Sequence, residues 1–206
     1  MNEAPEPIVR MSGDELAAQW RRAFFKTIEG AQVREPLRAA ALAGRLGEWT
    51  TYLTGAVVSS CESLGLRAAA KGHTLDLLPQ SGQEYLGLDV TAFLPDGGRV
   101  WPYPVAVFEL ENSASDDRVG YSMWKVACVH TVLAVVVAYR KSWPEAFELE
   151  ATLERWAPEE FGPGWAHASE SAILLALGSR DEGEGFPWGY FKFRIFNRNT
   201  RRFEKL

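Results

Sequence analysis

The chain has few of the residues that build disulfide scaffolds or zinc centres. It contains two cysteines and three histidines among 206 residues. Cys61 and Cys128 fall on predicted helices without metal-ligand spacing, so we expect both to be buried thiols rather than a disulfide. The three histidines, His73, His130 and His167, are scattered along the chain, and we assign none of them a metal-binding or catalytic role.

Long hydrophobic runs are also missing. No run approaches the roughly 20 apolar residues that a membrane-spanning helix needs. Residues 1–7 are acidic and contain proline, unlike a signal peptide. We therefore expect a cytoplasmic protein with no membrane partner. The hydrophobic content of 47% is enough to bury a sizeable core, and 206 residues suit one domain with additions.

Basic residues are in short supply, since 22 Lys and Arg stand against 27 Asp and Glu for a formal charge of −5. Nucleic-acid-binding proteins usually have a basic excess, so this balance argues mildly against nucleic acid as a partner. Five basic residues near the C-terminus could nevertheless contact a phosphate backbone: Lys192, Arg194, Arg198, Arg201 and Arg202. The alternative interpretation is a solvated edge strand protected by charge.

Two carboxylates interrupt the apolar run of residues 104–112, PVAVFELEN. Its β-branched and aromatic residues favour a strand, whose side chains alternate between two faces. Glu109 and Glu111 then share one face with Val107. A preceding run, residues 85–93, predicts another strand that carries Asp89.

The turn-forming residues 95–99, PDGGR, predict that these two strands are antiparallel neighbours. A hairpin folded about Arg99 places Asp89 opposite Glu109, because both are equidistant from it. Asp89, Glu109 and Glu111 would then converge, and clustered carboxylates repel each other unless a cation lies between them. A divalent ion with oxygen ligands answers that need. The alternative is a solvated sheet edge with three exposed acids.

Helical and strand patterns alternate along the rest of the chain. Ser12 and Glu15 form a capping-box pattern that opens a helix ending near Gly30. We expect further helices at 48–65, 116–128 and 142–157, a short helical piece from Pro36, and strands at 74–79, 131–139, 171–177 and 188–196. Together these elements predict an α/β domain with a central sheet, helices on both sides and N-terminal helices.

The order strand, strand, helix, strand, with Asp89 on the first strand and Glu109-Leu110-Glu111 on the second, resembles the PD-(D/E)XK nuclease superfamily. The resemblance covers roughly residues 46–140. It implies a restriction-endonuclease-like mixed sheet in a domain of residues 46–206, preceded by a helical extension of residues 1–45. It also implies hydrolysis of nucleic acid, with DNA favoured, a Mg²⁺ or Mn²⁺ cofactor, and a possible homodimer.

The sequence departs from the superfamily pattern at Glu111, where its members usually have lysine. The lysine role falls either to Glu111 or to Lys125 on the next helix. Arg118, Ser122 and Lys125 form one polar stripe on that helix. The resemblance also suggests an extra glutamate ligand from the helix at 48–65, for which we prefer Glu48 over Glu62.

The resemblance therefore implies that Asp89 and Glu109, with Glu48, hold the metal ion, and that Glu111 or Lys125 positions the attacking water. One alternative is an inactive relative that serves as a binding or assembly subunit. Another is a non-nuclease metal hydrolase, because fold does not determine function.

Overall fold

The computed structural model of the protein describes residues 11–78, 80–95, 101–159 and 171–206. Residues 1–7, most of the predicted turn at 95–99, and His167 lie outside the described residues. In the part that is described, no helix is both long enough and apolar enough to cross a membrane.

A seven-stranded mixed sheet forms the centre of the fold, with its strands in sequence order from β1 to β7. The pairs β1–β2, β2–β3, β5–β6 and β6–β7 are antiparallel, while β3–β4 and β4–β5 are parallel. The strands are β1 Arg67–Ala70, β2 Val90–Phe93, β3 Ala106–Glu111, β4 Leu133–Arg140, β5 Ala172–Ser179, β6 Phe191–Asn197 and β7 Arg202–Lys205.

Among the described residues, five α-helices flank this sheet: α1 Gly13–Glu29, α2 Ala31–Leu42, α3 Leu46–Ser63, α4 Asp116–Ala127 and α5 Trp143–Glu159. The predicted capping box is present, because the Ser12 side chain accepts a hydrogen bond from the Glu15 amide and Glu15 reaches back to the Ser12 amide. Pro36 lies inside α2 rather than at its start. The predicted fold class, a mixed sheet flanked by helices with helical N-terminal residues, is confirmed.

Alternation along β3 divides the core between the two faces of the sheet. Ala106, Phe108 and Leu110 pack with α1, α2 and α3. Val107 packs with α4 and α5 on the opposite face, where Glu109 also lies because it is two residues further along the strand. The strand β4 has buried residues on both faces, as its unbroken apolar run predicts.

The strand predicted at 74–79 is wrong. On the side of β2 away from β3, the neighbouring strand is β1. Its sequence Arg-Ala-Ala-Ala has little intrinsic preference for a strand. Ala68 and Ala70 are buried under α3, and Ala69 is buried on the opposite face with Leu75 and Phe93, so packing rather than propensity determines this strand. Leu75 forms only an isolated bridge with Gly82.

Three other predictions need correction. The strand predicted at 85–93 is confined to β2, because Tyr85–Gly87 forms a 3-10 helix. The strand β7 was not predicted, and α5 continues past Pro158 to Glu159. Cys61 is a buried thiol as expected, but Cys128, the residue that caps the C-terminus of α4, is exposed.

Trp20 fills the centre of the core between α1 and the sheet. It is 1% exposed and its ring lies 5.2 Å from that of Phe24 and 5.1 Å from that of Phe108. We expect Trp20→Ala to lower the free energy of unfolding by about 3–5 kcal/mol, because it leaves a large cavity. Urea denaturation measures this change.

The matched control is Trp101→Ala, since Trp101 is 64% exposed and its truncation leaves no cavity in the core. A similar loss of stability in both variants would contradict the central role of Trp20.

Candidate active site

The register between β2 and β3 brings the two predicted acids together. Val90 pairs with Phe108, so Asp89, which directly precedes β2, faces Glu109 on the neighbouring strand. The Leu110 amide donates a hydrogen bond of 2.7 Å to Oδ2 of Asp89. The predicted juxtaposition of Asp89 and Glu109 on adjacent chain segments is therefore confirmed.

Lys125 projects from α4 into this arrangement. Its Nζ lies 2.7 Å from Oε1 of Glu109 and donates a hydrogen bond of 2.8 Å to the carbonyl of Gly87. The lysine side chain is 25% exposed and the glutamate side chain only 8%. If Lys125 fills the lysine role, it is expected to point towards Glu109 and Glu111 rather than into solvent, and this expectation is confirmed for Glu109. Asp89, Glu109 and Lys125 are called the carboxylate–lysine cluster below.

The backbone before Asp89 is left-handed at two successive residues. Leu86 has φ 60° and Gly87 has φ 66°. A left-handed conformation is unfavourable for leucine, and such strain is found most often at functional sites. Here the bend presents the Gly87 carbonyl to Lys125, which therefore ties the turn to α4.

Burial makes the cluster electrostatically unusual. Glu109 is 6% exposed, and burial is the main reason that its pKa rises to about 7. The hydrogen bond from Lys125 lowers this pKa, whereas repulsion from Asp89 raises it. Burial also raises the pKa of Asp89, against the opposing effects of the Leu110 amide and Lys125. Both carboxylates are thus harder to ionise than ordinary acids.

Glu111 lies on the same face but has a different environment. Its Oε1 accepts a hydrogen bond of 2.7 Å from the Ser113 amide, at the point where the chain leaves β3. The buried Ser122 hydroxyl lies 3.4 Å from Oε2 of Glu109 and 3.5 Å from Oε2 of Glu111. Because a hydroxyl has one proton, Ser122 can donate to only one of these glutamates at a time.

The predicted three-carboxylate metal group is not found. Within residues 11–78, 80–95, 101–159 and 171–206, no three Asp, Glu, His or Cys side chains are arranged to hold a metal ion. The donor chemistry of Asp89 and Glu109 nevertheless fits a hard divalent cation, which prefers carboxylate oxygens. Oε1 of Glu109 is buried and, apart from its ion pair with Lys125, has no hydrogen-bond partner in the described part of the chain.

The ion pair of Glu48 is with Arg45, and it involves neither Asp89 nor Glu109. Glu48 occupies the exposed first turn of α3, where Oε2 lies 3.0 Å from Nε of Arg45. This end of α3 approaches the end of β3, because the Asn112 side-chain amide donates a hydrogen bond of 2.9 Å to the hydroxyl of Thr50. The metal-binding role of Glu48 stays a prediction.

The five basic residues predicted to bind nucleic acid differ in their contacts. Lys192 lies 3.7 Å from the centre of the Trp143 ring, and Arg194 forms a 3.0 Å ion pair with Glu150. Arg198 donates a hydrogen bond to the Ser171 carbonyl. Exposed side chains are found at the two remaining positions, Arg201 and Arg202, near the turn between β6 and β7. Their role in nucleic-acid binding stays a prediction.

Sequence reasoning missed Arg140, which is 6% exposed at the end of β4. Its guanidinium donates hydrogen bonds of 2.6 Å to Asp116 in the first turn of α4 and 3.2 Å to the Ser113 carbonyl. Arg140 thereby joins the end of β3 to the start of α4, the helix that carries Lys125. An arginine that closes an otherwise apolar strand is the one sequence signal that could have indicated this role.

Comparisons with known proteins add little to this geometry. No protein-family model matches the chain, and no curated protein matches its sequence. A solved structure with a similar arrangement is Escherichia coli MS115-1 NucC in its cAAA-bound form, with a TM-score of 0.46 and 12% sequence identity. The alignment covers 100% of this chain and 85% of that one. A likeness at this level does not identify the function of the chain.

The raised pKa of Glu109 predicts a pH dependence of stability in metal-free buffer. The folded protein keeps a proton on Glu109 up to about pH 7, whereas the unfolded chain loses it near the ordinary glutamate pKa of 4.5. The folded state binds more protons in this window, so the free energy of unfolding falls as the pH rises. Between pH 5 and pH 8, the free energy of unfolding should fall less for Glu109→Gln than for the wild type. The two decreases should differ by about 1–3 kcal/mol.

Urea denaturation with EDTA at a series of pH values measures this difference. Glu111→Gln makes the same chemical change two residues along the strand and should keep the wild-type slope. A Glu109→Gln slope equal to that of the wild type would show that Glu109 does not hold this proton.

Proposed function

We propose that this chain is a metal-dependent nuclease of the PD-(D/E)XK superfamily that hydrolyses phosphodiester bonds of DNA. The observation that carries the proposal is the carboxylate–lysine cluster: a buried glutamate with a pKa raised to about 7, an aspartate opposite it on the adjacent strand, and a lysine 2.7 Å away. Perturbed titratable groups brought together in this way are typical of functional sites.

The position of the cluster in the fold supports the same proposal. Asp89 precedes β2, Glu109 lies on β3 and Lys125 comes from α4, which connects β3 to the parallel strand β4. This is the strand, strand, helix, strand order that the superfamily resemblance implies. Lys125 supplies an ammonium close to the acids, although Glu111 occupies the position where superfamily members usually have lysine.

Asp89 and Glu109 are the residues that would hold a Mg²⁺ or Mn²⁺ ion. When bound, such an ion supplies positive charge at the scissile phosphate and lowers the pKa of a bound water. The two carboxylates repel each other and an incoming phosphate, so the cluster without a cation is unfavourable for an anionic substrate.

Lys125 supplies a positive charge from the protein, in addition to the charge that a bound metal ion would supply. Its ammonium can hold the attacking water or stabilise negative charge that develops on the phosphate, the kind of electrostatic stabilisation that contributes most to many enzymes. The hydrogen bond to the Gly87 carbonyl and the partly buried position restrict its motion. We therefore assign the lysine role to Lys125, and we assign Glu111 to the support of the loop after β3.

The alternative is an inactive relative that serves as a binding or assembly subunit. Two observations favour it: the Glu109–Lys125 ion pair already compensates one carboxylate, and the described residues contain no group of three metal-binding side chains. In this case the cluster has only a structural role, and metal ions neither stabilise the protein nor support cleavage.

The first test is cleavage of plasmid DNA, linear DNA and RNA by the purified protein with Mg²⁺, Mn²⁺ or EDTA. We expect cleavage with the metal ions and none with EDTA. Lys125→Met should reduce the rate by about 10²–10³-fold, because it removes a charge that stabilises the transition state.

Arg118→Met is the matched control, because Arg118 belongs to the same polar stripe of α4 but is exposed and lies outside the cluster. It should leave the rate unchanged. Wild-type protein that cleaves neither DNA nor RNA under these conditions, while folded, would contradict the nuclease proposal and favour the inactive relative.

A second test measures stability rather than cleavage. Metal ions that bind the folded state should raise the melting temperature of the wild type by mass action. Asp89→Asn should abolish this increase. It should leave metal-free stability unchanged or raise it, because one of two repelling carboxylates is removed while an oxygen remains to accept the Leu110 hydrogen bond.

Glu48→Gln is informative in the same assay, since a smaller metal-induced increase would support its assignment as a third ligand. Equal increases in wild type and Asp89→Asn would show that any bound metal ion lies elsewhere. A homodimer that cuts both strands of a duplex stays a prediction, which the oligomeric state in solution tests.

A further inference from the structure

A cavity of about 450 Å³ lies beside β6. The strands β4 and β5 separate β6 from β3, so the cavity is remote from the carboxylate–lysine cluster in the sheet. It forms where β7 ends, because β7 pairs with β6 only over Arg194–Asn197 and leaves Phe191 and Lys192 beyond it. Its lining is basic and aromatic and includes Arg21, Phe25, Trp188, Lys192, Arg194 and Lys205.

The aromatic part of the lining is oriented by contacts within the protein. The rings of Phe25 and Trp188 are stacked, with centroids 4.0 Å apart and an angle of 12° between their planes. The Trp188 indole N–H donates a hydrogen bond of 2.9 Å to Glu29. Although Trp188 is held in this way, it remains 57% exposed. It therefore offers a flat surface on which a second aromatic ring can stack.

Arg21 places a cation beside these aromatic rings. Its guanidinium lies 5.8 Å from the ring centroids of both Phe25 and Phe193. Its Nε is buried and has no hydrogen-bond partner among the described residues. Arg21 as a whole is only partly buried, so its guanidinium offers a positive charge and N–H donors to an anionic oxygen in the cavity.

Three further cations border the cavity, but they belong to the opposite face of β6 from Arg21. Lys192 and Arg194 alternate with Phe191 and Phe193 along the strand, and Arg194 pairs with Lys205. Lys192 lies against the Trp143 ring, and Arg194 forms an ion pair with Glu150. These cations make the neighbourhood of the cavity more positive, which favours an anion, whereas Arg21 is the cation on the side of Phe25 and Phe193.

We propose that this cavity binds a nucleotide, with its base stacked on Trp188 and its phosphates at the guanidinium of Arg21. The volume lies within the range of roughly 300–1,000 Å³ that is common for small-molecule sites. The terminal nucleotide of a nucleic-acid strand carries the same chemistry, so the experiment must distinguish this source from a free nucleotide. The proposal does not depend on the nuclease proposal.

Isothermal titration calorimetry in EDTA tests the ligand class without a contribution from divalent metal. The titrants are ATP, GTP, CTP, UTP, AMP, adenosine, tripolyphosphate and a thymidine tetranucleotide with a 5′-phosphate. We expect saturable binding of at least one nucleoside triphosphate at one site per chain. Adenosine and tripolyphosphate should bind at least about tenfold more weakly, because each lacks one of the two recognised groups.

Tighter binding of the tetranucleotide than of every free nucleotide would support the strand terminus as the source, and the reverse order would support the free nucleotide. Failure of all nucleotides and of the tetranucleotide to bind at millimolar concentration would overturn the proposal. So would binding of tripolyphosphate as tight as that of the best nucleotide, because it would indicate a site for polyanions only.

Two variants test whether the ligand binds in this cavity. Arg21→Gln and Trp188→Ala should each weaken binding of the best titrant by about tenfold or more, through loss of a phosphate contact and of a stacking surface. Arg22→Gln is the matched control, because Arg22 is the next residue of α1 but is exposed and does not line the cavity. Equal weakening by Arg22→Gln and Arg21→Gln would overturn the site.

Circular dichroism melting shows which variants are folded. Trp188 is surface-exposed, so Trp188→Ala still tests the site if Arg21→Gln does not fold. Unchanged binding by a folded Trp188→Ala variant would contradict base stacking at this position.

Discussion

The antiparallel register of β2 and β3 is the constraint on which the candidate site depends. With Val90 opposite Phe108, Asp89 and Glu109 face each other on the side of the sheet covered by α4. A shift by one residue in β3 would turn Glu109 towards Trp20 and the apolar helices α1 and α3, where no charge would be compensated. The apolar residues of β3 therefore specify the position of its carboxylate. The helix α4 then completes the site, because it crosses the same face and carries Lys125.

The energetics of the cluster explain why it is the best candidate for function. A buried ion pair such as Glu109–Lys125 rarely stabilises a fold more than apolar residues of similar size would, because both charges lose their hydration. Asp89 adds a second destabilised carboxylate beside it. A cation-binding nuclease site would explain this unfavourable arrangement, whereas a purely structural role would require only the ion pair. This argument supports the enzyme over the inactive relative, and the metal-dependent melting experiment separates them.

Charge distribution matters more in this protein than its formal charge of −5. Asp89 and Glu109 lie together at the β2–β3 cluster, while Arg21, Lys192, Arg194 and Lys205 border the cavity beside β6, three strands away. Two sites with opposite needs, one for a cation and one for an anion, can therefore exist in one small domain. The separation also means that variants at Arg21 and at Asp89 report on different sites, because no residue is shared between them.

Much of the fold and part of the site could be predicted from sequence, because their signals are local. The capping box at Ser12, the apolar run of β4, the alternation in β3 and the polar stripe that contains Lys125 all depend on near neighbours along the chain. The equal spacing of Asp89 and Glu109 from residue 99 predicted the correct register. Tertiary structure decided the features that depend on distant residues. Packing of alanines under α3 creates the strand β1, and burial raises the pKa of Glu109. The contacts of Arg140 and the cavity between α1 and β6 also depend on residues that are far apart in the sequence. Burial and long-range contacts decide these features, and neither is encoded in the spacing of residues along the chain.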